Sequence, residues 1–294
     1  MPISFNKTDV YPLGTAIVNG DLTMEDVSAL NDLHVEGVAL NGAYGWTGIG
    51  SDHVSKIPSI CRLNILTSRP IDLGNDFHLP NLQWLYVGGN IKIKLNFENF
   101  HQLKTLKFNI SNLKLIKSEA AKNLTEAHGN FRLDELIELS KTPNLKTLKI
   151  SNTKFSDLSW LESFDLDALT IARAVNLSDL EAISSQKNLN FLQLETCRKL
   201  NHIDSLAEAS NLRCLLIDLC GEIQSLQPLQ TLSQLEILSL IDTNVLDGKI
   251  SALAGNKSLV HMRFSNKKHY DKLSSDYTFD QQYFAKIYRQ YESE

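Results

Sequence analysis

The 294-residue sequence lacks several features that identify common protein classes. Four cysteines are too few for a disulfide-stabilised scaffold, and they favour a reducing cytoplasm. No uncharged apolar run approaches the roughly 18–20 residues that span a bilayer, and the N-terminal MPISFNKTDVYPLG lacks the basic and apolar regions of a signal peptide. A net charge of −5 gives no general attraction to nucleic acid or anionic lipid. We therefore expect a monomeric cytoplasmic protein without a membrane span, and nucleic acid is disfavoured as a partner.

Sequence motifs of catalysis are missing as well. The chain contains no G-x-S-x-G, H-E-x-x-H or Walker loop, and the glycine-rich stretch NGAYGWTGIGS at 41–51 lacks the Lys-Ser/Thr ending of a phosphate-binding loop. Its cysteines and histidines do not form the closely spaced pairs that bind zinc. These absences predict that the protein is not an enzyme and holds no metal or cofactor.

What the sequence does contain is a repeat. The pattern L-x-x-L-x-L, with Val, Ile, Met or Phe allowed at the apolar places, recurs every 21 to 25 residues in eleven clear copies and one degenerate copy. The copies begin at Leu13, Val35, Ile60, Leu82, Leu103, Leu124, Leu145, Leu166, Leu189, Leu212, Leu235 and Leu259. Alternation predicts a short strand, and apolar residues three apart, as in Leu200–Ile203–Leu206, predict a 3₁₀ turn. Only stacked copies bury such an edge, so the pattern predicts a solenoid.

Strings such as NLKTLKISNTKFSDLSWL and NLNFLQLETCRKLNHIDSL resemble the leucine-rich repeat family, in its short bacterial or SDS22-like types, over residues 13–266. The resemblance implies an α/β solenoid: a horseshoe with a parallel concave β-sheet, a 3₁₀ or irregular convex side and a C-terminal capping helix. It also implies that the ninth residue of each repeat turns inward. The ninth residues include Asn90, Thr153, Cys197, Cys220 and Thr243, whereas Ala43 and Arg132 depart from the pattern.

Two regions interrupt the regular array. Residues 110–140 fit either a degenerate repeat or a helical insertion. At the C-terminal end, Phe279, Tyr283, Phe284, Ile287, Tyr288 and Tyr291 have helical spacing, which predicts a helix packed on the last repeat. We expect an N-terminal cap and first repeat over 1–34, repeats over 35–266, and the capping helix within 267–294.

Positions 3, 5 and 7 of each repeat should face the concave side, because side chains alternate along a strand. On this face we expect an apolar patch with acidic neighbours and, upstream, aromatic residues beside lysines; large apolar side chains on an open sheet face are typical of binding surfaces. The predicted partner-binding residues are Trp84, Tyr86, Lys107, Lys149, Phe191, Glu195, Cys214, Leu216, Asp218, Ile237, Ile241, His261 and Arg263.

The leading hypothesis is a non-catalytic protein-binding module that acts through its concave face, and a narrower form is an inhibitor or immunity protein of a toxin or enzyme. One alternative is a secreted or surface adhesion protein, although the sequence shows no export signal. Another is glycan or nucleic-acid binding around Trp84, Tyr86, Lys107 and Lys149.

Overall fold

The computed structural model describes residues 3–5, 14–73 and 78–291. Leu13, which begins the weakest repeat copy, lies outside the described residues. The chain divides into two compact units, Met1–Leu145 and Lys146–Glu294, and each is described by itself.

The first unit is a parallel sheet with an antiparallel first strand. Its strands are β1 (Ile3–Phe5), β2 (Thr15–Val18), β3 (Gly37–Asn41), β4 (Arg62–Asp72), β5 (Trp84–Asn96), β6 (Thr105–Asn109), β7 (Asn112–Ile116) and β8 (Glu126–Gly129). The strand β1 pairs antiparallel with β2, so it covers the hydrogen-bonding edge at which the repeat stack begins. From β2 to β6, each strand pairs in parallel with the next, and β8 then pairs with β6.

The described residues of the first unit include two α-helices. Helix α1 (Met24–Asp32) begins at Thr23, whose hydroxyl accepts the Asp26 N–H at 3.2 Å while the Asp26 carboxylate accepts the Thr23 N–H at 2.9 Å. This reciprocal capping box satisfies backbone donors that a helix start leaves open. Helix α2 (Leu133–Leu139) follows β8.

Strands β4 and β5 are longer than the repeat pattern predicts, and a register shift separates Thr67 and Ile71. Beyond this shift β5 continues and pairs with β7. Asn90 was predicted to turn inward, and this prediction is wrong: Asn90 is exposed because β5 runs on through the place where a repeat would turn.

Residues 110–140 contain a true repeat. In β8, Glu126, Ala127 and His128 lie opposite Thr105, Leu106 and Lys107 of β6, in the phase that the degenerate copy predicts. The extra segment before it is the strand β7 rather than a helix.

The second unit is more regular. Its main parallel sheet runs β9 (Thr147–Ser151), β10 (Ala168–Ala172), β11 (Phe191–Glu195), β12 (Cys214–Asp218), β14 (Ile237–Leu240) and β16 (His261–Phe264). A small second sheet pairs β13 (Glu222–Ile223) with β15 (Asn244–Val245), and 3₁₀ turns such as Asp204–Glu208 complete the repeats. Helix α3 (Gln281–Tyr288) comes last.

One backbone device recurs in the second unit at the eighth repeat position. In five of the six repeats this residue is not glycine and has a left-handed φ value between 53° and 58°: Asn152, Arg173, Thr196, Leu219 and Asp242. The first four donate their N–H to a carbonyl of the next repeat at 2.8–3.0 Å. The left-handed residue turns the chain out of the sheet and directs the ninth side chain inward.

The ninth residues form an internal ladder in the second unit. Thr153, Ala174, Cys197 and Thr243 are buried, and the Cys220 thiol donates to the Leu194 carbonyl at 3.3 Å. The Thr243 hydroxyl donates to the Ile217 carbonyl at 2.6 Å and accepts the Cys220 N–H at 3.0 Å. The predicted inward positions of Thr153, Cys197 and Thr243 are confirmed, and all four cysteines are free thiols.

Candidate functional site

The residues at positions 3, 5 and 7 of the repeats share one side of the sheet, which we call the odd-position face. Its rows follow the strand register: Phe191, Cys214 and Ile237 lie opposite one another, as do Gln193, Leu216 and Ser239. The opposite side carries the repeat leucines of the core, such as Leu192, Leu215 and Leu238, each fully buried. The predicted assignment of residues to faces is therefore confirmed.

In the first unit the odd-position face carries half-buried aromatic and charged side chains. The rings of Trp84 and Tyr86 are stacked, with centroids 6.4 Å apart and an interplanar angle of 22°. The Lys107 ammonium lies 6.0 Å from the Trp84 ring centroid, at the limit of a cation–π contact. All three side chains keep partial exposure, so they form a surface that a partner can contact.

A polar group adjoins this surface. His128 Nε2 lies 2.5 Å from Glu126 Oε1, and the Thr105 hydroxyl donates to the other Glu126 carboxylate oxygen at 3.4 Å. His128 is the fifth residue of the repeat that begins at Leu124, so strand alternation places it on this face. The structure makes it the partner of a buried carboxylate, so the polar Glu126 side chain is not left without a neighbour within the sheet face.

The second unit carries the predicted apolar patch, but the patch is covered. Phe191, Cys214, Leu216 and Ile237 are each at most 1% exposed, and they pack with Ala168 against Phe284 and Ile287 of α3. The prediction that this patch faces solvent is wrong. Sequence alternation identified its side of the sheet correctly but could not show that the chain returns to cover it.

Helix α3 is held against this face by aromatic contacts. The Phe191 ring stacks on Tyr291, with centroids 4.8 Å apart, and meets Tyr288 edge-on at 5.8 Å. At the other end of the helix, the ring of His261 lies 4.7 Å from that of Tyr283. The C-terminal segment thus crosses the face from β16 to β11.

Polar contacts fix the margins of the helix. Asp280 caps it by accepting the N–H groups of Gln282 and Tyr283 at 2.8 and 3.1 Å, and its own N–H donates to His261 Nδ1 at 3.2 Å. Further along, the Tyr288 hydroxyl donates to Gln193 Oε1 at 3.3 Å and the Tyr291 hydroxyl donates to Asn190. The ring of each tyrosine packs on the apolar residues beneath the helix, and its hydroxyl hydrogen-bonds to a polar side chain beside them.

A further set of hydrogen bonds to the helix is centred on Glu236. Its carboxylate accepts the Tyr283 hydroxyl at 2.6 Å and two N–H groups of Arg213 at 2.8 and 3.0 Å. Burial opposes ionisation of Glu236, but the hydrogen bonds from Tyr283 and Arg213 outweigh it and lower the pKa of the carboxyl. The same bond to Glu236, together with burial, raises the pKa of the Tyr283 phenol.

Other predicted binding residues of the second unit take part in this internal packing. Arg263 places its guanidinium 4.6 Å from the Phe279 ring and 4.8 Å from the Phe284 ring, and its Nε donates to the Ser239 hydroxyl at 2.9 Å. Asp218 accepts that same hydroxyl at 2.8 Å and the Ile241 N–H at 2.7 Å.

Two further predicted residues, Glu195 and Lys149, are partly accessible, as are Asp218, Ile241, His261 and Arg263. Glu195 ends β11, Lys149 lies in β9 opposite Thr170, and both are half-buried.

The end of the repeat stack is closed by the segment before α3 rather than by the helix alone. The Met262 N–H of the last strand donates to the Thr278 carbonyl at 2.9 Å, and the Phe264 N–H donates to the Ser274 hydroxyl at 3.4 Å. We call residues 265–278 the edge cap. The predicted C-terminal helix is confirmed, but it lies across the odd-position face and touches the last repeat only at one end.

Comparison with known proteins supports the fold. No family model and no curated protein matches the chain. Among solved structures, it is similar to an internalin (InlF) from Listeria monocytogenes, with a TM-score of 0.54 and 20% identity over 85% of this chain and 74% of that one. It is also similar to the structure of a TLR13–ssRNA13 complex, with a TM-score of 0.63 and 15% identity over 86% of this chain and 42% of that one. The chain has the leucine-rich repeat fold.

Within this leucine-rich repeat chain, the residues that anchor α3 were not found by sequence reasoning. Asn190, Arg213 and Glu236 occupy the second repeat position, to which the sequence pattern assigned no role. Two sequence features together could have indicated this contact. Five of the eight tyrosines fall in the last 25 residues, and the apolar odd-position residues fall in the repeats just before them.

Among the described residues, no three His, Cys, Asp or Glu side chains are grouped closely enough to hold a metal ion. No helix of the described chain has the length and apolar character needed to cross a membrane.

Proposed function

We propose that this leucine-rich repeat protein is a non-catalytic module that binds a partner protein through the odd-position face of its first unit. The observation that supports this proposal most directly is the half-exposed Trp84–Tyr86 stack beside Lys107. Rigid aromatic rings next to a charge are the side chains that dominate protein–protein binding energy. A pre-ordered sheet face also loses little conformational entropy when a partner binds.

A narrower proposal is that the partner is a toxin or enzyme and that the protein inhibits it in the cytoplasm. Its support is physical: a rigid surface of this kind can cover a partner's active site without rearranging. The internalin similarity extends to the fold only, so the alternative of surface adhesion rests on no observation of this chain.

Affinity capture with matched variants tests the binding surface. Native lysate is passed over the full chain, over a Trp84→Ser/Lys107→Ala variant and over a Lys122→Ala control, whose exposed lysine lies outside the odd-position face. We expect one or more proteins to be retained by the native chain and the control and lost with the double variant. Equal retention by all three would contradict the proposed surface.

Tryptophan fluorescence then tests direct binding of a captured protein. Trp46 and Trp160 are buried whereas Trp84 is half-exposed, so quenching by iodide reports mainly on Trp84. We expect the captured protein to protect Trp84 from iodide. Unchanged quenching at saturating partner would place the contact elsewhere.

Single-stranded nucleic acid is a second candidate ligand, favoured by one feature. Bases stack on aromatic side chains beside a lysine, and the Trp84–Tyr86 pair offers such rings. The same fluorescence titration with mixed-sequence single-stranded RNA decides between the two. Protection by RNA at low salt that disappears at high salt would support this second candidate.

A further inference from the structure

The face under α3 has the form of a helix-binding groove. Its floor is the apolar set Phe191, Cys214, Leu216 and Ile237, and its rims carry hydrogen-bonding groups that meet the tyrosine hydroxyls. The equivalent odd positions in β6 of the first unit are Thr105 and Lys107, which are polar and half-buried. The apolar floor beneath α3 therefore has no counterpart in β6.

The helix is attached to this groove in a way that leaves the repeats complete without it. The parallel pairs from β9 to β16 hydrogen-bond with one another, and the edge cap holds β16 through Met262 and Phe264. Beyond Thr278, three tyrosine hydroxyls and the Asp280 N–H hydrogen-bond to the sheet. Departure of α3 would thus break side-chain contacts but no strand pairing.

The helix is also too short to persist away from the sheet. It has eight residues, and isolated helices shorter than roughly 12–15 residues are marginal in water. Its departure is therefore coupled to its unfolding, and the vacated groove offers its floor to another helix of similar chemistry.

We propose that α3 is an exchangeable internal ligand, and that the partner protein presents an amphipathic helix with aromatic residues at the spacing of Phe279, Tyr283, Tyr288 and Tyr291, which takes the place of α3. This inference rests on the proposed function and adds to it a second contact surface and the chemistry of the partner segment. A backbone N–H at the helix start would donate to His261, and a tyrosine hydroxyl one turn later would meet Glu236, as in α3 itself.

A native thiol reports the exchange in the full chain. Cys214 lies on the groove floor with no exposed surface, and burial raises the pKa of its thiol to about 12. When α3 leaves, the thiol regains solvent and an ordinary pKa, so it becomes reactive towards N-ethylmaleimide. Cys197 lies in the interior ladder and is also fully buried, so its modification requires opening of the repeats themselves.

Alkylation under native conditions, followed by peptide mapping with mass spectrometry, measures both thiols in one sample. We expect Cys214 to react faster than Cys197 and with a weaker dependence on low concentrations of urea, because it opens locally. Equal rates with equal urea dependence would show that the groove opens only when the unit unfolds. That result would overturn the proposal.

A matched pair of variants sharpens this measurement. Ile287→Gln removes a buried apolar contact with the groove, whereas Lys286→Gln changes an exposed position of the same helix. Loss of a buried side chain of this size weakens docking enough to speed Cys214 alkylation by about tenfold or more. The Cys197 rate and the Lys286→Gln rates should stay at native values, and acceleration of both thiols in Ile287→Gln would contradict local exchange.

A synthetic peptide of residues 279–291 tests whether the groove accepts a helix in trans. We expect the labelled peptide to bind the Ile287→Gln protein by fluorescence anisotropy and to slow Cys214 alkylation, whereas a scrambled peptide of equal composition does neither. Absence of both effects would overturn the proposal. Exchange of α3 between copies, seen as concentration-dependent dimers of the native chain by light scattering, would also overturn it by identifying a second copy as the occupant.

These readouts need no partner, so they separate the two proposals. Failure of affinity capture with an intact Cys214 and peptide response would contradict the first-unit binding surface alone. A captured partner, together with a Cys214 that is alkylated no faster than Cys197, would contradict only the exchange of α3.

Discussion

The two units carry the same six-residue strand pattern but complete their repeats in different ways. In five of the six repeats of the second unit a left-handed residue follows the strand, and the next side chain belongs to the internal ladder. In the first unit Gly89 has a left-handed φ of 93° at the same eighth position, yet β5 continues and the ninth residue, Asn90, is exposed. A shared strand pattern therefore specifies the core leucines, whereas the residues after it decide whether the chain turns.

The odd-position faces differ in the same way. The first unit shows aromatic and charged side chains with partial exposure, and the second unit covers an apolar floor with its own helix. Large apolar side chains at the odd positions thus have two different environments in this protein. They are partly exposed in the first unit, where we propose that a partner binds, and they form an internal contact in the second.

The largest difference in stability between the two faces should come from replacing the aromatic residue at the third repeat position in each. Phe191→Ala should lower the free energy of unfolding by about 3–5 kcal/mol, because a fully buried ring is lost from the groove. Trp84→Ala should cost clearly less, because its ring is half-exposed, and should instead weaken partner binding. Urea denaturation measures the free energy of unfolding of both variants. Equal losses of stability would contradict the distinction between the two faces.

The ninth position offers a second contrast. Thr243→Val should destabilise the protein by about 1–3 kcal/mol, because the buried Ile217 carbonyl and Cys220 N–H both lose their partner. Thr243→Ser keeps the hydroxyl and should retain most of the stability, while Asn90→Ala should change it by less than about 0.5 kcal/mol. Urea midpoints test all three, and a large loss in Asn90→Ala would refute the view that the first unit lacks the ladder here.

Opposite substitutions at the eighth position should have opposite signs. A Cβ on Gly89 would lie 1.9 Å from the Thr67 carbonyl oxygen, so Gly89→Ala should destabilise by at least about 1–2 kcal/mol. Thr196→Gly relieves a left-handed β-branched residue and should raise stability by up to about 1 kcal/mol, net of the added chain entropy. Thermal denaturation measures both. Two changes of the same sign would show that side-chain contacts, not backbone conformation, dominate this position.

The smallest effect concerns pH and is confined to the second unit. The pKa of Glu236 is lowered in the folded protein, so its contribution to docking of α3 is present above the ordinary value of 4.5 and is lost as the pH falls through the folded value. The groups facing it are Arg213, Tyr283 and His261, and the carboxyl of Asp280 at the helix start also has a lowered pKa, through its bonds to the Tyr283 and Gln282 N–H groups.

Hydrogen–deuterium exchange of α3, corrected for intrinsic rates, checks this prediction. Protection of α3 should decrease between pH 6.5 and pH 3.5 relative to β10. Glu236→Gln should reduce this dependence to the part that Asp280 supplies. An unchanged pH dependence in Glu236→Gln would remove Glu236 from the docking contact.

Much of the fold could be predicted because the repeat spacing fixes it. The starts at Leu189, Leu212 and Leu235 place strands β11, β12 and β14 in the observed register, and the degenerate copy at Leu124 was recovered as β8. The continuation of β5 past Gly89 was not predictable, because it depends on pairing with β7, a strand outside the repeat pattern.

The candidate site was predicted less completely. Alternation placed Phe191 and Leu216 on the correct side of their strands, but their burial depends on contacts with residues more than 60 positions later in the chain. Spacing within a repeat carries no information about such a contact. The helical spacing from Phe279 to Tyr291 predicted a helix, and only the structure shows that its apolar side meets the apolar floor.

The position of α3 along the chain has a consequence for biosynthesis. Phe191 is translated 93 residues before Phe284, so at typical rates of synthesis its side of the sheet waits about 5–20 s for the residues that shield it. During that interval the nascent chain exposes an apolar surface to chaperones and to neighbouring nascent chains. Any codon-level slowing of the final segment would lengthen this exposure and raise the risk of aggregation on the ribosome.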